Sequence, residues 1–228
     1  MTALVNVIAI DGPVAAGKTV VGRELSRRLG YRYLDTGVMY RAVTWLARQL
    51  GVSMEAAADL GRLARENPVE LLGPDSDRVT IGGYELGPEL RDPEVDQLVS
   101  LVARVPEVRR ALVQRQRELA ARGNLVMVGR DIGTVVLPDA EAKFFMLASA
   151  EERSRRRHRD LLQQGHQVEY DQVLRETRRR DELDSQREDS PLRPAPGAHA
   201  VETEGRTEAQ VVELILALLS QGSGVSGR

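Results

Sequence analysis

Residues 12–19 read Gly12-Pro13-Val14-Ala15-Ala16-Gly17-Lys18-Thr19, which matches the eight-residue pattern G-x-x-x-x-G-K-[ST]. The apolar run from Val5 to Ile10 precedes this segment, and apolar residues recur at helical spacing from Thr19 to Leu29 behind it. In such a setting, glycines let successive backbone N–H groups point into one concavity, and the start of the helix adds positive potential. The pattern therefore predicts a loop that binds the phosphates of a nucleoside triphosphate.

Within this loop, Lys18 is expected to reach the β and γ phosphates of ATP, and the hydroxyl of Thr19 to hold Mg²⁺. The predicted ATP-binding segment comprises residues 12–20. Asp35 and Asp11 are the nearest carboxylates for a water-mediated contact to Mg²⁺, and of the two we assign Asp35. Capping the end of a strand remains the alternative role for either aspartate.

Strand and helix patterns alternate along the rest of the chain. Besides the first strand, apolar runs predict core strands at residues 31–34, 125–128, 144–147 and 198–202. Helical spacing predicts helices at residues 19–29, 38–50, 53–67, 93–104, 106–122, 150–164, 170–182 and 208–219. This alternation indicates an α/β fold, with a parallel five-stranded sheet and helices on both of its faces. Short strands at 69–72, 78–81 and 84–86, separated by turn sequences, add a small antiparallel β insertion.

Composition narrows the classes of function. The chain of 228 residues contains no cysteine, which excludes disulfides and zinc–thiolate sites, and its three histidines are scattered among polar neighbours. Its 32 basic and 34 acidic residues give a net charge of -2, so no global field attracts nucleic acid or anionic lipid. The sequence has no long apolar run and no targeting signal at its start. We therefore expect a cytoplasmic protein without a membrane segment.

The phosphate loop by itself leaves several functions open, because GTPases, motors and kinases share it. The chain has no Asn-Lys-x-Asp run of the kind that recognises guanine, and it has little length for a second ATPase core. A kinase that acts on a small molecule is the remaining interpretation.

Further motifs accompany the loop. They are Ile10-Asp-Gly-Pro, Leu34-Asp-Thr-Gly with Tyr40-Arg41, Gly129-Arg-Asp-Ile-Gly-Thr-Val-Val, and Arg180-Asp-x-x-Asp184-Ser-x-Arg187. Together with the loop, they resemble the bacterial cytidylate (CMP) kinase family over about residues 5–219. The resemblance implies a phosphate-loop kinase fold with a core, a CMP-binding region enlarged by the β insertion, and a mobile lid. It also implies transfer of the γ-phosphoryl group of ATP, with Mg²⁺, to CMP or dCMP.

The resemblance further implies which residues contact the acceptor. Those expected at its phosphate and ribose are Thr36, Tyr40, Arg41, Arg130, Arg180, Asp184 and Arg187, and those expected at its base are Ser100, Arg109 and Asp131. A phosphate with about two negative charges suits several guanidinium groups. The exocyclic amine of cytosine needs an acceptor, and its ring nitrogen and carbonyl need donors. Asp131 and Arg109 supply one of each, so we expect strong discrimination against uracil.

The lid is an arginine-rich helix pair that contains Arg153, Arg156, Arg157, Arg175 and Arg178. The first three share one helix face and are predicted to point at the transferring phosphoryl group when the lid closes. The predicted catalytic residues are Lys18, Arg130, Arg153, Arg157, Arg180 and Arg187. For any single lid arginine a solvated salt bridge is the alternative, because residues 149–189 contain ten arginines and eleven acids.

Two loop positions depart from the commonest family pattern. Ala15 stands where glycine is usual, which implies that this position avoids a positive φ. Val20 stands where threonine or serine is usual and cannot donate a hydroxyl group to the α-phosphate. We therefore expect ATP to be bound somewhat less tightly.

We interpret residues 1–220 as a single, monomeric kinase domain. Its CMP-binding region is expected at about 36–110, with the β insertion at about 69–86, and its lid at about 150–187; residues 221–228 are expected to form a disordered tail. Two alternatives stay open. One is another small-molecule kinase of this fold that acts on UMP, AMP or a non-nucleotide acid, and the other is a nucleotide-sensing binding module whose arginine helices hold RNA.

Overall fold

Five parallel strands form the central sheet of the computed structural model, which describes residues 5–73 and 77–222. In chain order the elements are β1 (Val7–Asp11), α1 (Lys18–Leu29), β2 (Arg32–Asp35), α2 (Thr36–Gln49), α3 (Ala57–Glu66), β3 (Glu70–Leu72), β4 (Arg78–Ile81), β5 (Tyr84–Leu86), α4 (Pro93–Val102), α5 (Pro106–Ala120), β6 (Leu125–Gly129), β7 (Ala142–Leu147), α6 (Ala150–Gln163), α7 (Tyr170–Ser185), β8 (His199–Glu202) and α8 (Glu208–Gly222). A 3-10 turn spans Pro88–Arg91, and a π-helical turn spans Ile132–Val136.

The central sheet has the order β2-β6-β1-β7-β8, and every neighbouring pair in it is parallel. Its two faces lie in separate hydrophobic cores. In β1, Ala9 packs into the core with α2, α3 and α5, whereas Ile8 and Ile10 pack into the core with α1 and α8. Because both faces are covered, the strands are continuously apolar rather than alternating, and the predicted parallel five-stranded α/β fold is confirmed.

The order of the strands places the functional motifs together. Strands β2, β6 and β1 are adjacent, and in a parallel sheet their carboxyl ends meet at one edge. At that edge β1 leads into the phosphate loop, β2 ends at Asp35, and β6 leads into Arg130 and Asp131. Segments that are about a hundred residues apart in the chain thus become neighbours.

The insertion forms a second sheet of three antiparallel strands in the order β3-β4-β5, as predicted. It packs on α2, since Val79, Ile81 and Leu86 are buried in the same core as Leu46. This packing ties the insertion to the helix that begins directly after Asp35.

Several element ends differ from the predicted ones. Helix α3 begins four residues later than predicted, because the Ser53 hydroxyl oxygen accepts a hydrogen bond from the backbone N–H group of Glu55. This bond favours a local turn over a helix. Helix α7 continues three residues further and so includes Asp184. Helix α8 extends to Gly222, so the predicted tail begins too early, and residues 223–228 lie outside the described residues. The spacing of apolar residues did not predict the π-helical turn Ile132–Val136.

Candidate active site

The two fixed glycines of the phosphate loop serve different steric needs. Gly17 precedes α1 with a φ of 91°, in the left-handed region that favours glycine. A Cβ atom at Gly12 would lie 2.5 Å from the carbonyl oxygen of Met146, so this position tolerates no side chain. The loop therefore packs directly against the end of β7.

Ala15 corrects one prediction about the loop. Its φ is 57°, so the expectation that alanine here avoids a positive φ is wrong. The left-handed conformation costs an L-residue about 1 kcal/mol of free energy. The tight turn of the loop imposes this conformation on Ala15 in spite of that cost. Alanine is thus accommodated at some expense of stability.

We expect Ala15→Gly to raise the unfolding free energy by about 0.5–1 kcal/mol, because glycine adopts this backbone conformation without strain. The melting temperature should then rise by about 1–4 °C. Ala121→Gly is a matched control, since Ala121 is exposed with an ordinary φ of -59°. The control should lower stability by about 0.5–1 kcal/mol. Equal losses in the two variants would contradict strain at Ala15.

Lys18 is buried against the loop backbone. Its Nζ atom donates hydrogen bonds to the carbonyl oxygens of Gly12, at 2.7 Å, and Pro13, at 2.6 Å. Burial, reinforced by the nearby charge of Arg130, lowers the pKa of Lys18 well below its ordinary value. The backbone of the phosphate loop therefore fixes the position of the Lys18 side chain.

The structure distinguishes the two aspartates proposed near a metal. The Thr19 hydroxyl donates to Oδ2 of Asp35 at 3.0 Å, and Oδ1 of Asp35 caps α2 through the N–H group of Gly37. Both carboxylate oxygens of Asp11 accept hydrogen bonds from backbone N–H groups, those of Ile132 and Gly133 in the turn Ile132–Val136. Burial raises the pKa of Asp11 to about 6. Asp11 therefore supports this turn, whereas Asp35 lies beside the threonine.

Oxygen ligands of this kind fit Mg²⁺, which usually takes few protein ligands and completes its shell with water and phosphate. Among residues 5–73 and 77–222, no group of three or more His, Cys, Asp or Glu residues is arranged to hold a metal ion by itself. The Thr19 hydroxyl and the Asp35 carboxylate are therefore compatible with a metal that arrives with the nucleotide.

Arg130, Asp184 and Arg187 form one cluster beside the loop. Nε of Arg130 donates to Oδ2 of Asp184 at 2.9 Å, while Nη2 of Arg187 lies 3.7 Å from Oδ1 of the same carboxylate. Burial alone would raise the pKa of Asp184, but these two guanidinium groups hold it below its ordinary value. Nη2 of Arg187 is buried and has no hydrogen-bond partner in the described part of the chain. The cluster thus keeps a buried donor available.

Arg109 and Asp131 form a buried ion pair, with exposed fractions of 2% and 5%. The Arg109 guanidinium also lies 5.7 Å from the centre of the Tyr40 ring and donates to the carbonyl oxygen of Ala103 at 3.2 Å. Burial raises the pKa of Tyr40 to about 12 and keeps its hydroxyl protonated. A donor and an acceptor are therefore adjacent in a largely dry environment.

Two other residues expected to contact the acceptor have contrasting surroundings. The Thr36 hydroxyl donates to the carbonyl oxygen of Val128 at 3.0 Å and so links α2 to β6. Ser100 is half-buried on α4, and its hydroxyl has no hydrogen-bond partner within residues 5–73 and 77–222. Thr36 therefore has a structural contact already, whereas Ser100 is free to bind.

The lid arginines that share a face on α6 bind three different parts of the molecule. Arg153 donates to Asp181 through both terminal nitrogens and to the carbonyl oxygen of Val14 at 3.1 Å. Arg156 donates to the Thr203 carbonyl oxygen at 2.8 Å. The third, Arg157, contacts an acidic side chain on α4 described below. Arg153 thus connects the lid to the phosphate loop.

Arg175 and Arg178 are both exposed on α7 and are not brought to the site. Arg178 pairs with Glu151 of α6 at 2.6 Å. For this residue the salt-bridge alternative is the one observed.

Sequence reasoning missed several polar residues that contact predicted site arginines, among them Asp181, the partner of Arg153, as well as Asp96 and Ser190. Asp96 on α4 contacts Arg41, Arg157 and Arg180, and the hydroxyl of Ser190 accepts from Nε of Arg109 at 3.3 Å. Helical spacing offered a signal for Asp96, because it precedes Ser100 by four residues and so shares its helix face. Ser190 follows the last motif with a φ of 56°, which no local pattern predicted.

Comparisons with known proteins extend over nearly the whole chain. A family described as cytidylate kinase matches residues 8–221. A protein named cytidylate kinase from Carboxydothermus hydrogenoformans is 45% identical over 219 residues, which cover 96% of this chain and 99% of that protein. One of the same name from Mycobacterium avium is 47% identical over 222 residues, which cover 96% and 97%. Among solved structures, shikimate kinase from Acinetobacter baumannii in complex with shikimate covers 95% of this chain and 94% of its own, at 21% identity and a TM-score of 0.45.

Across the described ranges 5–73 and 77–222, the helices are all too short or too polar to span a membrane.

Proposed function

The chain belongs to the cytidylate kinase family, and from this membership we propose how its residues carry out the reaction. It transfers the γ-phosphoryl group of ATP to CMP, and the products are ADP and CDP. We propose that the enzyme also accepts dCMP as a substrate. The observation that carries our assignment of residues is the cluster of Lys18, Arg130, Asp184 and Arg187 at the carboxyl edge of the sheet.

On the donor side, the segment 12–20 binds the phosphates of ATP through its backbone N–H groups, which Pro13 lacks, and Lys18 neutralises charge at the β and γ positions. The Thr19 hydroxyl and Asp35 hold Mg²⁺ together with the nucleotide, a role supported by their 3.0 Å contact. A Mg²⁺ ion held by these residues would supply positive charge to offset the negative charge of the reacting phosphates. Val20 is 45% exposed and offers no hydroxyl group there.

On the acceptor side, Arg41, Arg130, Arg180 and Arg187 bind the CMP phosphate, and Asp184 accepts from the ribose hydroxyl groups. The positive charges of the four arginines reduce the repulsion between the CMP phosphate and the γ-phosphate of ATP, so the two can approach each other. The buried Nη2 donor of Arg187 supports this role, because such a group gains a partner when an anion binds. An acceptor phosphate oxygen is already ionised near neutral pH, so no general base is needed.

The base lies against Arg109, Asp131 and Ser100, with Tyr40 packed on Arg109. Asp131 accepts from the exocyclic amine of cytosine, and Arg109 donates to the ring nitrogen or carbonyl. Uracil presents a carbonyl oxygen where cytosine presents the amine, so its binding leaves Asp131 facing an acceptor. Arg109 and Asp131 are both almost fully buried, which makes that mismatch costly.

We also propose the arrangement around this site. Residues 36–110 act as the CMP-binding region of one kinase domain, and residues 150–187 act as a lid in which Arg153 and Arg157 move onto the phosphates. We propose a monomer in the cytoplasm that takes part in pyrimidine nucleotide metabolism, which the cysteine-free composition suits. Sedimentation of the purified protein tests the monomer directly.

A panel of acceptors tests the proposed function. Purified protein is assayed with Mg²⁺ and ATP against CMP, dCMP, UMP, AMP and shikimate, and ADP production is followed. We expect CMP to give the highest kcat/KM, dCMP to follow, and the other acceptors to be at least about a hundredfold poorer. Preference for AMP, UMP or shikimate would contradict the assignment, and salt-sensitive RNA binding without turnover would favour a binding module.

Asp184→Asn tests the ribose contact. The variant keeps the shape of the side chain but removes its charge, so kcat/KM for CMP should fall by about ten- to a hundredfold. The loss for dCMP should be several-fold smaller, because dCMP lacks one of the hydroxyl groups. Asp171→Asn is the control, since Asp171 is exposed in the first turn of the same helix and pairs with none of the proposed site arginines among the described residues. Equal losses for CMP and dCMP would show that Asp184 serves only to hold Arg130.

A further inference from the structure

Asp96 is a carboxylate surrounded by three arginines. Its side chain pairs with Arg41, with Arg157 at 3.0 Å and with Arg180 at 3.1 Å. Arg180 also donates to the backbone carbonyl oxygen of Asp96. The Asp96 side chain is only 16% exposed, so these contacts are largely shielded from water.

These partners come from three different helices. Arg41 lies on α2, Arg157 on α6 and Arg180 on α7, whereas Asp96 lies on α4. The carboxylate therefore joins both lid helices to two helices of the proposed CMP-binding region. Burial alone would raise its pKa, yet the guanidinium groups of Arg41, Arg180 and Arg157 hold that pKa below its ordinary value. Asp96 is thus negatively charged at neutral pH.

The contacts leave most of each guanidinium group available. For each arginine, the ion pair with the carboxylate is made through its Nη2 atom. A guanidinium group carries five N–H donors, so the rest can bind another anion. Three positive charges against one negative charge leave two positive charges around Asp96. That excess matches the charge of about -2 on a nucleoside monophosphate.

From this geometry we propose that Asp96 is a positioning residue for the acceptor phosphate. It orients Arg41, Arg157 and Arg180 before the substrate arrives and leaves a local charge that complements a phosphate dianion. The inference rests on the proposed function, because it takes these arginines as phosphate ligands. It adds a residue that itself does not touch the phosphate.

Asp96→Asn is the direct test, with Glu94→Gln as its matched control. Glu94 lies on the same helix and pairs with Arg48, so its substitution removes a charge away from the three arginines. Binding of CMP and of cytidine, which lacks the phosphate, is measured by calorimetry, and turnover is measured with ATP and CMP. We expect Asp96→Asn to weaken CMP binding about tenfold and to raise its KM similarly. Cytidine affinity should not change.

Asp96→Glu keeps the charge but displaces it by one methylene group, and we expect it to lose CMP affinity by about threefold. This variant also serves if Asp96→Asn fails to fold by circular dichroism. Unchanged or tighter CMP binding in the tested variant would overturn the proposal, and so would equal losses for CMP and cytidine. Failure of the unmodified protein to phosphorylate CMP would instead contradict the proposed function.

Discussion

Lys18→Ala is expected to lower kcat by about a thousandfold while the protein remains folded. The ammonium group is the positive charge of the phosphate loop, and two loop carbonyl oxygens already hold it in place. Removing it leaves the charge on the β and γ phosphates less compensated as the γ-phosphoryl group transfers. Steady-state kinetics with saturating ATP and CMP measures the loss.

The chain provides its own control for this variant. Lys143 is the other lysine of the sequence, and its Nζ donates to the Pro138 carbonyl oxygen outside the loop. We expect Lys143→Ala to keep activity within about twofold, since this half-buried side chain of β7 makes its hydrogen bond outside the phosphate loop. Circular dichroism should give native spectra for both variants. Activity of Lys18→Ala within tenfold of the unmodified enzyme would remove this lysine from the mechanism.

Asp131→Asn is expected to change the choice of base. An asparagine can present its amide N–H₂ group to the carbonyl oxygen of uracil, whereas the carboxylate only accepts. We expect kcat/KM for CMP to fall by about a hundredfold and the preference for CMP over UMP to shrink by a similar factor. Parallel assays with the two nucleotides give the ratio.

The same variant should also be less stable. It leaves Arg109, which is 2% exposed, without its charged partner, and breaking a buried pair costs about 3–5 kcal/mol. The melting temperature should fall by about 6–20 °C. Asp189→Asn is the control, because Asp189 lies 3.9 Å from the same arginine but is 44% exposed. An unchanged CMP to UMP ratio in Asp131→Asn would contradict its contact with the base.

Local sequence patterns sufficed for the phosphate loop and for most elements. The loop pattern depends on residues within eight positions, and a continuous apolar run such as β1 reports burial on both faces. Resemblance to a family supplied Arg109, Asp131 and Arg187, and these residues lie together in the structure. Their convergence follows from motifs at the carboxyl ends of parallel strands.

The features that were missed depend on contacts between distant parts of the chain. The sequence by itself determined the α/β class, the loop and the arginine motifs, because periodicity and short patterns are local properties. Tertiary structure alone decided that Ala15 adopts a positive φ and that both carboxylate oxygens of Asp11 accept hydrogen bonds from the backbone of the turn Ile132–Val136. It also decided that Asp96 meets three arginines, since those partners lie 55, 61 and 84 residues away. Such contacts depend on how helices pack against one another, which no local pattern specifies.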